Sequence, residues 1–217
     1  MSISATLVKE LREKTNAGMM DCKKALEETK GNFDAAVEWL RVKGLASAGK
    51  KAGRIAAEGM VHSYIHGEGK IGVMLEVNSE TDFVARNEGF RTFVQDIALH
   101  IAASAPLAVG PDEIPAAVIE KEKEIMRAKN IEQGKKPEML DKIVEGQIKK
   151  FIAENCLLEQ AFVKNPDIKI NEYLKETIAK IGENIVIRRF VRYELGEGIE
   201  KKSNDFAAEV AAQMKGH

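Results

Sequence analysis

Three strand-like runs, two adjacent and one far downstream, limit this chain more than any other feature. Gly59–His66 and Lys70–Val77 flank the turn signal Gly67-Glu68-Gly69 and read as a hairpin. A third run, Asn184–Glu194, follows only after a long helical interval. Three strands hold together when something covers one face. Segments with helical spacing at about 88–104 and 171–182 supply that cover. The expected class is α+β, with a small antiparallel sheet covered by helices.

The rest of the chain reads as additions to this core. Residues 1–45 carry three short amphipathic helices. Ser4 is a plausible cap for the first, with Leu7, Val8 and Leu11 on its inner face; Cys22, Ala25 and Leu26 mark the second, and Phe33, Ala36, Val37 and Leu40 the third. Gly44 is the expected stop of the third helix. Residues 46–57, within an Ala-, Gly- and Lys-rich stretch, read as a linker, partly helical at most. That stretch includes Gly44-Leu45-Ala46-Ser47-Ala48-Gly49-Lys50-Lys51, which nearly matches a phosphate-binding loop. Lys51 offers no hydroxyl for magnesium and no strand precedes the segment, so nucleotide binding is not expected there.

Residues 116–160 read as two amphipathic helices joined by Gly134-Lys135-Lys136-Pro137, an antiparallel hairpin inserted in the core. The core is thereby split into 58–115 and 161–196. Residues 197–217 end in a short amphipathic helix, 204–214, which must dock on its own core or on a partner.

Composition excludes several function classes. The formal net charge is -1 with acidic and basic residues interspersed, so no nucleic-acid footprint is visible. Two cysteines make a disulfide framework unlikely to be the organising device, and a reducing cytoplasm is the default. No apolar run is long enough to span a bilayer. His62 and His66 share one face of a strand about 13 Å apart, without a recognisable third ligand, so no metal site is expected. The Ser, His, Cys and Asp residues have no catalytic spacing; neither an enzyme nor a cofactor is expected.

The richest stretch for function is the corner Asn78-Ser79-Glu80-Thr81-Asp82-Phe83-Val84-Ala85-Arg86-Asn87, between strand and helix. Thr81 or Asp82 could cap the following helix. Phe83 is either a core anchor or a wedge offered to a partner, with Asp82 beside it. Met19 and Met20 start a helix, and adjacent helical positions point apart, so at least one faces solvent; they fill a small core or serve an adaptable surface.

Thr81–Asn87 resembles the signature loop of the bacterial elongation factor Ts family, guanine nucleotide exchange factors for elongation factor Tu. Three further stretches are similar to that family in the same order: Thr15–Leu26, Lys180–Arg189, and Gly196–Lys201 with Asp205–Ala211. The resemblance implies that residues 1–45 form a module similar to a ubiquitin-associated (UBA) domain, that the helical hairpin is a coiled coil, and that the C-terminal helix packs on the partner. It implies partner contacts at Thr81, Asp82, Phe83, Val84, Arg86 and Asn87, at Met19 and Met20, and more weakly at His100, Phe206 and Val210.

The implied activity is non-enzymatic release of GDP from elongation factor Tu, which the factor would bind both GDP-loaded and nucleotide-free. Direct nucleic-acid or membrane contact is not expected. Longer family members carry two half-cores, and strands enough for only one are found here, so a homodimer completing the second half is a further expectation. A helical protein-binding or RNA-binding adaptor is the alternative reading.

Overall fold

The computed structural model describes residues 3–15 and 17–199. Three helices open the chain: α1 (Ala5–Thr15), α2 (Met19–Glu28) and α3 (Phe33–Lys51). The Ser4 hydroxyl accepts from the Leu7 N–H at 3.1 Å and caps α1 as expected. Asn32 caps α3 through the Ala35 N–H. The three helices enclose Val8, Leu11, Cys22, Ala25, Leu26, Ala36 and Leu40, the inner faces that the spacing indicates.

α3 does not stop at Gly44 but runs on to Lys51, so the stretch expected to be a linker is helical over its first part. The reason is packing. α3 lies against α8 (Ile170–Ile181), and a Cβ at Gly44 would sit 2.9 Å from Ala179 Cβ. Gly44 is there to let two helices approach, not to end one. The near phosphate loop is therefore inside a helix, where its backbone N–H groups are turned into helical hydrogen bonds.

β1 (Glu58–His66), β2 (Ile71–Ser79) and β5 (Ile185–Glu194) form one antiparallel sheet in the order β1-β2-β5. The strand that arrives last thus pairs with the second strand and leaves it central. Along β2, Val73, Leu75, Val77 and Ser79 are buried on one face. α5 (Glu88–Ser104) packs beneath that face, burying Phe90, Phe93, Val94, Ile97 and Ile101. α8 packs beside α5 and on α3, and its contact with the sheet is the smaller part of its packing. Among the described residues no helix covers the opposite face of the sheet. Val61 and Ile65 of β1, Met74 of β2, and Val191 and Tyr193 of β5 are exposed there, aligned by the register that sets Met74 opposite Val191 and Gly72 opposite Tyr193.

α6 (Ala116–Glu132) and α7 (Pro137–Asn155) lie side by side across a short turn. Arg127 pairs with Asp141, and the buried Asn130 amide donates to Gln147 Oε1 at 2.7 Å. The chain returns to the core through a two-stranded piece, β3 (Ala161–Phe162) and β4 (Asn165–Lys169), too short to leave a periodic trace in the sequence. No helix among the described residues is long and apolar enough to cross a membrane.

Candidate functional site

The corner after β2 is built from both ends of the core. β2 closes with Ser79, fully buried, whose hydroxyl donates to the Thr81 carbonyl at 2.9 Å. One helical turn, α4 (Asp82–Ala85), follows, and then α5. Within this turn two neighbouring apolar residues part company. Val84 is buried against the core cluster, while Phe83 is 77% exposed. The choice left open by the sequence is thereby divided: Val84 is the anchor, and the Phe83 ring stands in solvent. Val84 was expected among the partner-contacting residues, and its burial makes it part of the support instead.

The polar residues of the corner also have distinct places. Thr81 occupies the position before α4, yet its side chain makes no capping bond there. Its hydroxyl donates to Glu183 Oε1 at 2.8 Å and its N–H to Glu183 Oε2 at 3.0 Å. Asn87, rather than Thr81 or Asp82, is the working cap: its side chain accepts from the N–H groups of Gly89 and Phe90 at the start of α5. Asp82 and Arg86 pair at 3.1 Å on the outer side of α4, both well exposed. Such a pair is weak in water and easily exchanged for a partner's charges.

Met19 and Met20 open α2, 56% and 75% exposed respectively. Two thioethers standing free at a helix start make an adaptable apolar spot. His100 is different. It was expected as a weak contact, but it is fully buried in α5, its Nε2 2.9 Å from Gln160 Oε1 and its Nδ1 accepting the Val163 N–H at 3.2 Å. Burial holds its pKa below the ordinary value of 6.5, with the Gln160 hydrogen bond opposing weakly. It ties α5 to the β3–β4 piece and presents nothing to a partner in this conformation. Phe206 and Val210 lie outside the described residues.

Sequence reasoning missed Glu183. It sits in the turn between α8 and β5, and a lone Glu beside Gly182 in a turn carries no periodic or spacing signal.

Most of the chain also matches known proteins. The family described as "Elongation factor TS" matches residues 5–197. Among curated relatives, a protein named elongation factor Ts from Geotalea daltonii is 63% identical over 212 residues, covering 98% of each chain. One of that name from Alkaliphilus oremlandii is 62% identical over 214 residues, covering 99% of each. A third, from Bdellovibrio bacteriovorus, is 49% identical over an alignment of 310 positions that takes in all of both chains. That alignment is longer than the present chain, so this relative carries segments with no counterpart here.

Proposed function

The chain belongs to the elongation factor Ts family, and from that premise we propose that it releases GDP from elongation factor Tu by offering Phe83 as a wedge. The observation that carries the proposal is the exposure of that ring on a one-turn helix whose neighbour, Val84, is sunk in the core. An aromatic side chain left standing in water on a firmly seated corner is poised to be buried by something else.

The thermodynamics follow from linkage. A factor that binds the empty GTPase more tightly than the GDP-loaded one weakens GDP by the same ratio. Each tenfold of that ratio requires about 1.4 kcal/mol of differential binding. Burying an aromatic ring in a partner's pocket supplies a few kcal/mol. Phe83 inserts between helices of the partner, and Asp82, exchanging its Arg86 pairing, disturbs the loop that holds magnesium and phosphate. Met19 and Met20 seat α1–α3, the UBA-like module, on the GTPase domain; the C-terminal segment with Phe206 and Val210 seats the other side. α6 and α7 form the coiled-coil projection. No bond is made or broken in the exchange, and the site of action is the cytoplasm.

Phe83→Ala tests the wedge. With elongation factor Tu carrying a fluorescent GDP, the variant is expected to lower factor-stimulated release by roughly a hundredfold, the consequence of losing about 2.7 kcal/mol of wedge burial. Its own thermal midpoint should stay within a degree or two, because an exposed ring contributes little to folding. Undiminished stimulation would remove the wedge role.

A further inference from the structure

α4 is a single turn and cannot hold itself, so the Phe83 corner needs support from outside it. The turn Gly182-Glu183-Asn184, joining α8 to β5, answers this. Glu183 receives two hydrogen bonds from Thr81, at 2.8 and 3.0 Å. In return, Glu80 Oε1 accepts the Asn184 N–H at 2.6 Å. Asn184, almost fully buried, donates through Nδ2 to the Arg54 carbonyl at 2.8 Å, and the Arg54 guanidinium lies 3.5 Å from Glu80 Oε1. Two carboxylates thus cross over between two turns, each satisfying a backbone N–H of the other.

We infer that Glu183 is a positioning residue for nucleotide exchange, clamping Thr81 so that the following turn presents Phe83 in a fixed direction. The inference rests on the wedge reading of Phe83. Its physical basis is that a carboxylate accepting both a backbone N–H and a hydroxyl from one residue fixes that residue's position and its rotation together. Without the clamp the corner would still be anchored by Val84 and capped by Asn87, but the Thr81 N–H and hydroxyl would lose their partner, leaving the backbone that sets where Phe83 points to the Ser79 bond and to the tie of Glu80 to Asn184. Pre-organisation of this kind lowers the ordering cost of binding.

The test is a double-mutant cycle of stimulated GDP release with Glu183→Ala, Phe83→Ala and the two together. Glu183→Ala is expected to slow stimulated release roughly tenfold, the loss of hydrogen bonds to a charged acceptor. The double variant should be no slower than Phe83→Ala alone, because Glu183 acts through that ring. Glu183→Gln should restore most of the rate, since its amide can accept from the Thr81 N–H and donate to the Thr81 hydroxyl oxygen. Amide hydrogen exchange over Thr81–Arg86 should quicken in Glu183→Ala while the amides of α5 keep their protection.

If Glu183→Ala fails to fold, Thr81→Val removes only the hydroxyl's bond and reads the same effect at smaller size. A normal rate for Glu183→Ala beside a slow Phe83→Ala overturns this inference and leaves the wedge standing, as do effects that simply multiply. A normal rate for Phe83→Ala overturns both.

Discussion

Phe83 and Val84 show how much one peptide unit can decide. Both are apolar, both sit in a polar corner, and hydrophobicity alone assigns them the same fate. The helical turn separates them by about a hundred degrees, so seating one in the core faces the other outward. His100 makes the complementary point. On a helix rich in small and apolar residues it could lie anywhere, and only the fold shows its Nδ1 accepting the Val163 N–H. Such an imidazole is neutral in the folded state. Its folded pKa is held below the unfolded value, so its contribution to stability is complete above about pH 6.5 and drains away as pH falls from there toward the folded pKa. Urea midpoints at pH 7.5 and pH 5 should show a fall that His100→Gln, uncharged at both, makes smaller.

At the scale of elements, the contact of α3 with α8 turns on one residue. It requires a residue without a side chain at Gly44, mid-helix, where glycine has an intrinsic cost of up to about 1 kcal/mol. Gly44→Leu is expected to force the helices apart and lower stability by about 1–3 kcal/mol, read as a denaturant midpoint shift with an unchanged slope. Gly44→Ala should cost less, as a single methyl meets Ala179.

The same residue explains where the sequence was legible and where it was not. Apolar spacing located the inner faces of α1, α2 and α3, and alternation located β1, β2 and β5, because each pattern depends only on residues within one element. Gly44 signals either a stop or a close approach, and only the partner helix, more than a hundred residues later, distinguishes them. Among the candidate site residues, the Phe83 corner and the two methionines stand out in the sequence. The Glu183 clamp does not, since a hydrogen bond between two turns so far apart in sequence has no local signature.

At the scale of the whole molecule, one face of the sheet is left uncovered by the described residues. Val61, Ile65, Met74, Val191 and Tyr193 form an apolar patch broken by the Glu76 carboxylate and the arginines at 188 and 189. A patch rimmed by charge on one side of a sheet is a surface for association. We propose that a second copy of this chain, the homodimer expected from the sequence, covers it. Sedimentation at micromolar concentration should give a dimer, and Met74→Asp should give a monomer with unchanged helix content. A wild-type monomer under those conditions would exclude the assignment.

The unbroken course of α3 has one more outcome. Its first half closes the bundle that carries Met19 and Met20; its second half rests on α8, which leads directly into the turn holding Thr81. The methionines and the phenylalanine are therefore carried on one run of packed helices, like the jaws of a caliper holding a set gap. On the proposed reading, a GTPase that relaxes to any other gap cannot satisfy both jaws at once, and the mismatch is felt where its grip on the nucleotide is made.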